Sequence, residues 1–183
     1  SAVLKTFEDH YWTKYYRMMA DKLGLDTVHE EDIQLFEAFE KMMGLIQPDM
    51  TLFYQLLIDL SPDIETANDI SAHFQKSFYD DLTSEHSELL VNVIKQYQIR
   101  KKLNTCSNEE ARLIMAQSNP RFILRNYLLH QAIEEMEKGQ NELFIKLQQA
   151  IKYPYAKQYD EFFEIRPGWA SQKAGCSMLS CSS

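Results

Sequence analysis

Apolar side chains recur along this chain at helical spacing. Phe7, Tyr11, Tyr15, Met18 and Met19 fall three and four residues apart, which predicts a helix over 7–23 with Gly24 as its stop. On burial preferences, Tyr11, Trp12, Tyr15 and Tyr16 read as core and rim packing rather than an aromatic box. Thr27-x-x-Glu30 reads as a capping box before a second stripe of Ile33, Phe36, Phe39 and Met43, ended by Gly44. A nearly all-apolar helix follows over 51–60. Ser61-Pro62-Asp63 then reads as a cap and N1 proline for a weaker helix through Ile70 to Phe78. Leu89, Val93, Ile94 and Tyr97 mark a helix over 85–103, with Arg100-Lys101-Lys102 suiting its negative end. Ser107-x-x-Glu110 is a further capping box, for a short helix ending at Ser118.

The stretch from Asn119 to Gly139 carries the densest helix signal. Asn119 reads as the N-cap, Pro120 as N1 and Gly139 as the left-handed C′ residue. Its apolar first half predicts a central helix with the others packed round it. Asn141 then caps a last helix through Ile151. No run alternates like a half-buried strand. The expected fold is therefore all-α, an irregular bundle of about seven to eight helices over 1–152. Residues 153–183 form a mostly irregular tail with a turn of helix near 160–164. That tail carries Tyr155, Tyr159, Phe162, Phe163 and Trp169, too much apolar surface to leave in water, and should pack on the helical body.

Composition narrows the chemistry. At 183 residues the chain can bury a sizeable core, and no apolar run reaches the roughly 20 residues a bilayer requires. No membrane association is expected. The Ser1-Ala2 start, without an initiator Met, suggests a processed chain or a fragment. Charge is uneven: residues 1–100 hold 8 Lys/Arg against 18 Asp/Glu, a balance of −10, and the remainder balances at +2. An acidic first half repels phosphate backbones, so nucleic-acid binding is not expected, whereas a basic protein partner would suit it. Five glycines leave no G-x-G-x-x-G, no G-x-x-x-x-G-K-[ST] and no G-x-S-x-G.

Candidate chemistry is sparse. His29-Glu30-Glu31-Asp32 and Asp80-Asp81 read as helix-start acids rather than metal ligands, and no metal site is expected. His130 reads as a packed or hydrogen-bonded histidine, because no partner for a base is identifiable. Arg121 and Arg125, one helical turn apart, offer forked donors for an anion or for structural ion pairs with neighbouring carboxylates. Cys176 and Cys181 sit on a Ser-rich end where accessible thiols could serve redox chemistry. Their spacing is wrong for C-x-x-C and too sparse for zinc.

Particular segments resemble a known family. Asn119-Pro120-Arg121-Phe122-Ile123-Leu124-Arg125-Asn126-Tyr127-Leu128, followed by Gln131-Ala132-Ile133, is similar to a segment near the end of selenoprotein O proteins. So are Arg166-Pro167, Trp169-Ala170 and the terminal Ser180-Cys181-Ser182-Ser183. Residues 18–25 and 49–57 resemble the family more weakly. The resemblance implies a parent with a kinase-like fold that binds ATP, with Mg, in reversed orientation and transfers AMP to protein hydroxyls. The motifs for that chemistry lie upstream of the part matched, so this chain alone should not be catalytic and holds no cofactor. It would be the carboxy-terminal helical regulatory and scaffolding portion of a bacterial-type, cytoplasmic member. Its partners would be the upstream kinase-like domain and, through the parent, protein substrates. Cys181 occupies the family's terminal redox position, and Cys176 is an additional thiol that leaves the choice of redox cysteine open. A stand-alone acidic helical module that docks a basic partner is the alternative.

Overall fold

The computed structural model describes residues 2–173 and Cys176. Among the described residues there are eight α-helices: α1 (Ala2–Leu23), α2 (Asp32–Ile46), α3 (Met50–Ile58), α4 (Ala67–Phe74), α5 (Ser84–Lys101), α6 (Asn108–Ser118), α7 (Asn126–Glu137) and α8 (Glu142–Lys152). Short 3-10 turns cover Gln75–Ser77, Asp160–Phe162 and Gly168–Ser171. No strand occurs among the described residues, and the fold is all-α as expected. Packing divides the chain into two compact units, Ser1–Asn119 and Pro120 onward.

The first unit is organised by aromatic side chains. Phe53 stacks on Phe74 at 4.7 Å between ring centroids, and Phe39 meets Tyr97 edge-on at 6.0 Å. Phe36, Met42, Leu57, Ile70, Leu90 and Ile94 complete the fully buried set. Each such side chain contributes roughly 1.5–3 kcal/mol by leaving water. Tyr97 gives its hydroxyl to Met115 Sδ at 3.7 Å, and burial pushes its phenol far above the usual range.

Helix ends follow local chemistry where a side chain is free to cap. Asp49 accepts from Leu52 N–H, Thr66 from Asp69 N–H and Thr83 from His86 N–H. The predicted Ser107/Glu110 capping box is complete in both directions. At Gly24 (φ +67°) the N–H of Leu25 reaches Ala20 O at 2.8 Å, and that of Gly24 reaches Asp21 O at 3.1 Å. A Cβ at Gly24 would stand 2.7 Å from Met115 Cγ, so this turn also needs glycine for the approach of α6. Gly139 (φ +80°) closes α7 in the same way.

Several predicted boundaries move. Thr27 and Glu30 form no capping box; the carboxylate of Asp32 instead accepts His29 N–H at 2.8 Å. Gly44 lies inside α2, which ends at Gln47 in the left-handed region. Ser61-Pro62-Asp63 is a turn, and the next helix waits for Thr66. Asn119 is no N-cap. Its amide gives hydrogen bonds to Lys22 O and Met115 O, its Oδ1 accepts from Lys22 Nζ, and it is buried. Extended geometry before Pro120 (φ −120°, ψ 104°) completes the break, and α7 starts six residues later than expected. That helix packs in the second unit, so it is not the centre of the bundle.

The second unit has a small core of Phe122, Tyr127, Leu128, Ala132, Leu147, Ala150, Phe162, Ala170 and Cys176. Phe162, Ala170 and Cys176 of the tail pack with residues of α7 and α8, while Tyr155 and Trp169 stay exposed. The N–H groups of Arg121 and Phe122 both donate to Pro154 O, at 2.8 and 2.9 Å, which ties the tail to the extended entry of α7.

One ion pair fixes α5 against α2. Arg100 Nε and Nη2 donate to Asp32 Oδ1 and Oδ2 at 2.5 and 3.0 Å, and Nη2 also donates to Thr27 O. Both side chains are nearly fully buried. Arg100 is therefore spent on α2 rather than on its own helix dipole. Asp32→Ala is expected to lower the unfolding free energy by about 3–5 kcal/mol, because a buried guanidinium loses its partner. Urea unfolding would measure this, and the double change Asp32→Leu with Arg100→Met should cost much less.

Candidate functional site

The residues singled out from sequence are not gathered into one place. Arg121 and Arg125 do not share a helix face, since both precede α7 in extended chain. Arg121 pairs with Asp160 Oδ1 at 2.6 Å, and its guanidinium lies 4.0 Å above the ring of Phe163. This is a structural clamp on the tail, with Nε left without an acceptor among the described residues. Arg125 is engaged as well. His130 Nε2 approaches Glu134 Oε1 at 3.2 Å on the next turn of α7. Glu134 also takes Lys173 Nζ at 2.6 Å, and that hydrogen bond holds its carboxyl below the usual range.

Cys176 departs from the expectation of an accessible thiol. Its residue is 4% exposed and packed in the second core. Cys181 lies outside the described residues. In the His29–Asp32 run, Asp32 is committed to Arg100. Among the described residues no three His, Cys, Asp or Glu side chains gather in a way that could hold a metal ion.

The sequence reading missed a cleft of about 430 Å³ between the turn after α3 and the α5–α6 junction. Leu60, Tyr97, Gln98, Lys101, Asn104 and Cys106 contribute to its walls. Lys101 is half-buried with its Nζ 5.5 Å from the centre of the Tyr97 ring. Burial, with the charge of Arg112 nearby, lowers its ammonium pKa below the usual lysine value. Asn104 gives Nδ2–H to Gly24 O at 2.8 Å and approaches Cys106 Sγ at 3.7 Å. These groups could hold a small polar molecule but supply no nucleophile–base pair. A lone cysteine and lysines at a helix end form no spacing motif, so nothing in the sequence separated them from solvated surface.

Asp26 holds the loop beside this cleft. Its Oδ2 accepts from Thr105 N–H at 2.6 Å, Thr105 Oγ1 at 2.7 Å and Cys106 N–H at 3.1 Å. The Thr105 hydroxyl first, then its N–H, hold the carboxyl well below the usual carboxylate range.

Comparison with known proteins now decides the family. A family model described as protein adenylyltransferase SelO matches residues 1–152. The chain belongs to the SelO family. It is 54% identical over its whole length to a protein nucleotidyltransferase YdiU of Cytophaga hutchinsonii, of which it covers 35%. Identity is 39% with the YdiU protein of Xanthomonas euvesicatoria and 31% with that of Rhodopirellula baltica, each over 98% of this chain. The chain covers 35% and 36% of those two relatives. It therefore spans about a third of the length of the SelO-family relatives it matches. Those relatives are bacterial, and no described helix is long and apolar enough to cross a membrane.

Two outcomes follow from this geometry. A bulky thiol reagent under native conditions should label Cys106 before Cys176, with Cys176 reacting freely only in denaturant; peptide mass spectrometry reads both. The lowered Asp26 carboxyl contributes stability above its ordinary value of 3.8, which is lost as pH falls through the lower folded value. Asp26→Asn should therefore flatten the acid side of a plot of Tm against pH.

Proposed function

We propose that this chain is the carboxy-terminal helical regulatory and scaffolding portion of a SelO-family protein adenylyltransferase. The observation that carries the reading is the family match over 1–152, in a chain spanning 35% of a relative to which it is 54% identical throughout. The parent's remaining part would bind ATP with Mg²⁺ and transfer AMP to Ser, Thr or Tyr hydroxyls of proteins in the cytoplasm. Residues of this chain do not fit that cofactor. The sequence holds no phosphate-cradling glycine motif, and among the described residues no carboxylate cluster is placed to bind a divalent ion. Its part is mechanical: a braced helical body with an aromatic core, and a tail held through Arg121, Phe162 and Ala170.

Cys181 is the thiol we assign to redox control, with Cys176 as the second candidate. Burial of Cys176 in a packed core favours Cys181, because thiol–disulfide exchange needs access to the attacking sulfur. In that switch Cys181 and an upstream cysteine each give up a proton and an electron, and a disulfide oxidant such as oxidised glutathione is reduced to two thiols.

The test uses the full-length protein with labelled ATP and acceptor proteins, under oxidising and reducing conditions. AMP transfer should occur with the full-length protein and be absent from residues 1–183 alone. Digestion without reduction should yield a peptide cross-linked through Cys181, and Cys181→Ser should remove the redox dependence. A Cys181 that stays free in both conditions overturns the switch. AMP transfer by this chain alone overturns the regulatory reading.

A further inference from the structure

Helix α1 is only partly used by the unit it belongs to. Its last turns bury Met19, Ala20 and Leu23, yet Phe7, Tyr11, Trp12 and Met18 are exposed by 68, 52, 43 and 46%. This reverses the core role that their spacing predicted. Taking about 200 Å² for a large side chain, these exposures leave on the order of 400 Å² of apolar surface on one helix. Patches of that size on a soluble unit mark interaction sites.

The patch is ordered rather than loose. Trp12 stacks on Tyr16 at 5.6 Å and meets Tyr11 edge-on at 5.2 Å. Tyr16 stacks in turn on buried Phe36 at 6.1 Å, and the Tyr15 hydroxyl donates to Glu40 of α2. The ladder is thereby fixed to the core, which lowers the ordering cost of binding. Along it runs an open depression of about 800 Å³ lined by Phe7, His10, Tyr11, Lys14, Tyr15 and Met18. Aromatic anchors with a hydroxyl or cation at the edge are the side chains that dominate binding energy at protein interfaces.

We infer that this face of α1 docks the part of the parent polypeptide that lies outside these 183 residues. The inference rests on the reading that the chain is a portion of a longer protein. A relative that contains this chain in full, α1 included, is nearly three times as long. Two segments of one polypeptide meet at an effective concentration of order millimolar. That favours a tethered occupant over a second copy for a patch of this size, well below the ~800 Å² per partner of a stable dimer. Charge adds a requirement. Residues 1–100 balance at −10, so the docked surface should be apolar at its centre with a basic rim.

The experiment is hydroxyl-radical footprinting of the full-length protein, read by mass spectrometry at Phe7, Tyr11, Trp12 and Met18. Oxidation should be as slow as at buried Phe39 and Tyr97. Rates matching those in the denatured full-length protein would overturn the proposal. So would protection that disappears on dilution as a dimer dissociates in sedimentation, since the occupant would then be a second copy. The double change Phe7→Glu with Tyr11→Glu alters exposed side chains and should leave Phe39 and Tyr97 protected. It should restore oxidation at Trp12 and Met18, and continued protection there would count against docking on this face. AMP transfer is assayed separately. A protected face in a protein without AMP transfer supports the docking and removes only the enzymatic reading.

Discussion

The buried pair of Arg100 and Asp32 is the constraint on which the first unit depends. A guanidinium taken out of water is tolerable only with its donors met, and here Asp32 takes two and Thr27 O shares one of them. The consequences spread outward along the chain. Asp32 must begin α2, so Thr27 cannot form a capping box and the turn before the helix is fixed by His29 N–H on the same carboxylate. At the other end Arg100 Nη1 reaches Asn104 at 3.3 Å, and Asn104 holds the carbonyl of Gly24. One ion pair thus couples the end of α1, the start of α2 and the loop into α6. Asp26 and Asn104 fix the loop that lines the cleft beside Lys101 and Cys106.

Sequence legibility divides along the same physical line. Some signals complete within four residues were readable: Ser107 with Glu110, Gly24 and Gly139 do what their local chemistry requires, whereas Thr27 with Glu30, Gly44 and Ser61-Pro62 do not. Signals that need a distant partner were not readable. Asn119 has every property of an N-cap, yet Lys22, 97 residues away in sequence, claims its side chain. Arg100 looked like a helix-dipole cation until Asp32 is placed beside it. The face of a helix is likewise visible from spacing, but what covers that face is not, and α1 shows the difference. Its 3–4 pattern is real, yet residues 6–14 are exposed. Of the tail's large rings Phe162 is buried, while Tyr155 and Trp169 stay exposed. That Cys176 would be among the buried residues had no local signal.

The two cores make different demands on function. The first is paved by large rings whose contacts leave little room to shift, which suits a rigid platform. The second is small and closed by tail residues, with Phe162 against Phe122 at 5.5 Å and Trp169 against Tyr127 at 6.1 Å. Arg121 on Asp160 and Lys173 on Glu134 pin the same tail by charge. Among the described tail residues Phe162, Ala170 and Cys176 are buried.

Charge in residues 1–100 balances at −10, and Arg17 and Arg100 there are paired. In the first unit Arg100, Arg17 and Arg112 are each paired with an aspartate, at 2.5, 2.5 and 2.9 Å, while Lys22 is turned onto Asn119 and the ring of Tyr54. Arg100 is committed inward, Arg17 and Arg112 are half-exposed surface pairs, and the acidic groups left over set the field. A net negative platform slows the approach of nucleotide phosphates and speeds that of basic protein surfaces. The same field acts at the exposed ladder of α1, where dispersion and burial would supply affinity and the acidic surround would select which surface arrives. Apolar rings alone would accept many partners. Under the proposed docking, the negative unit around them would favour a basic surface.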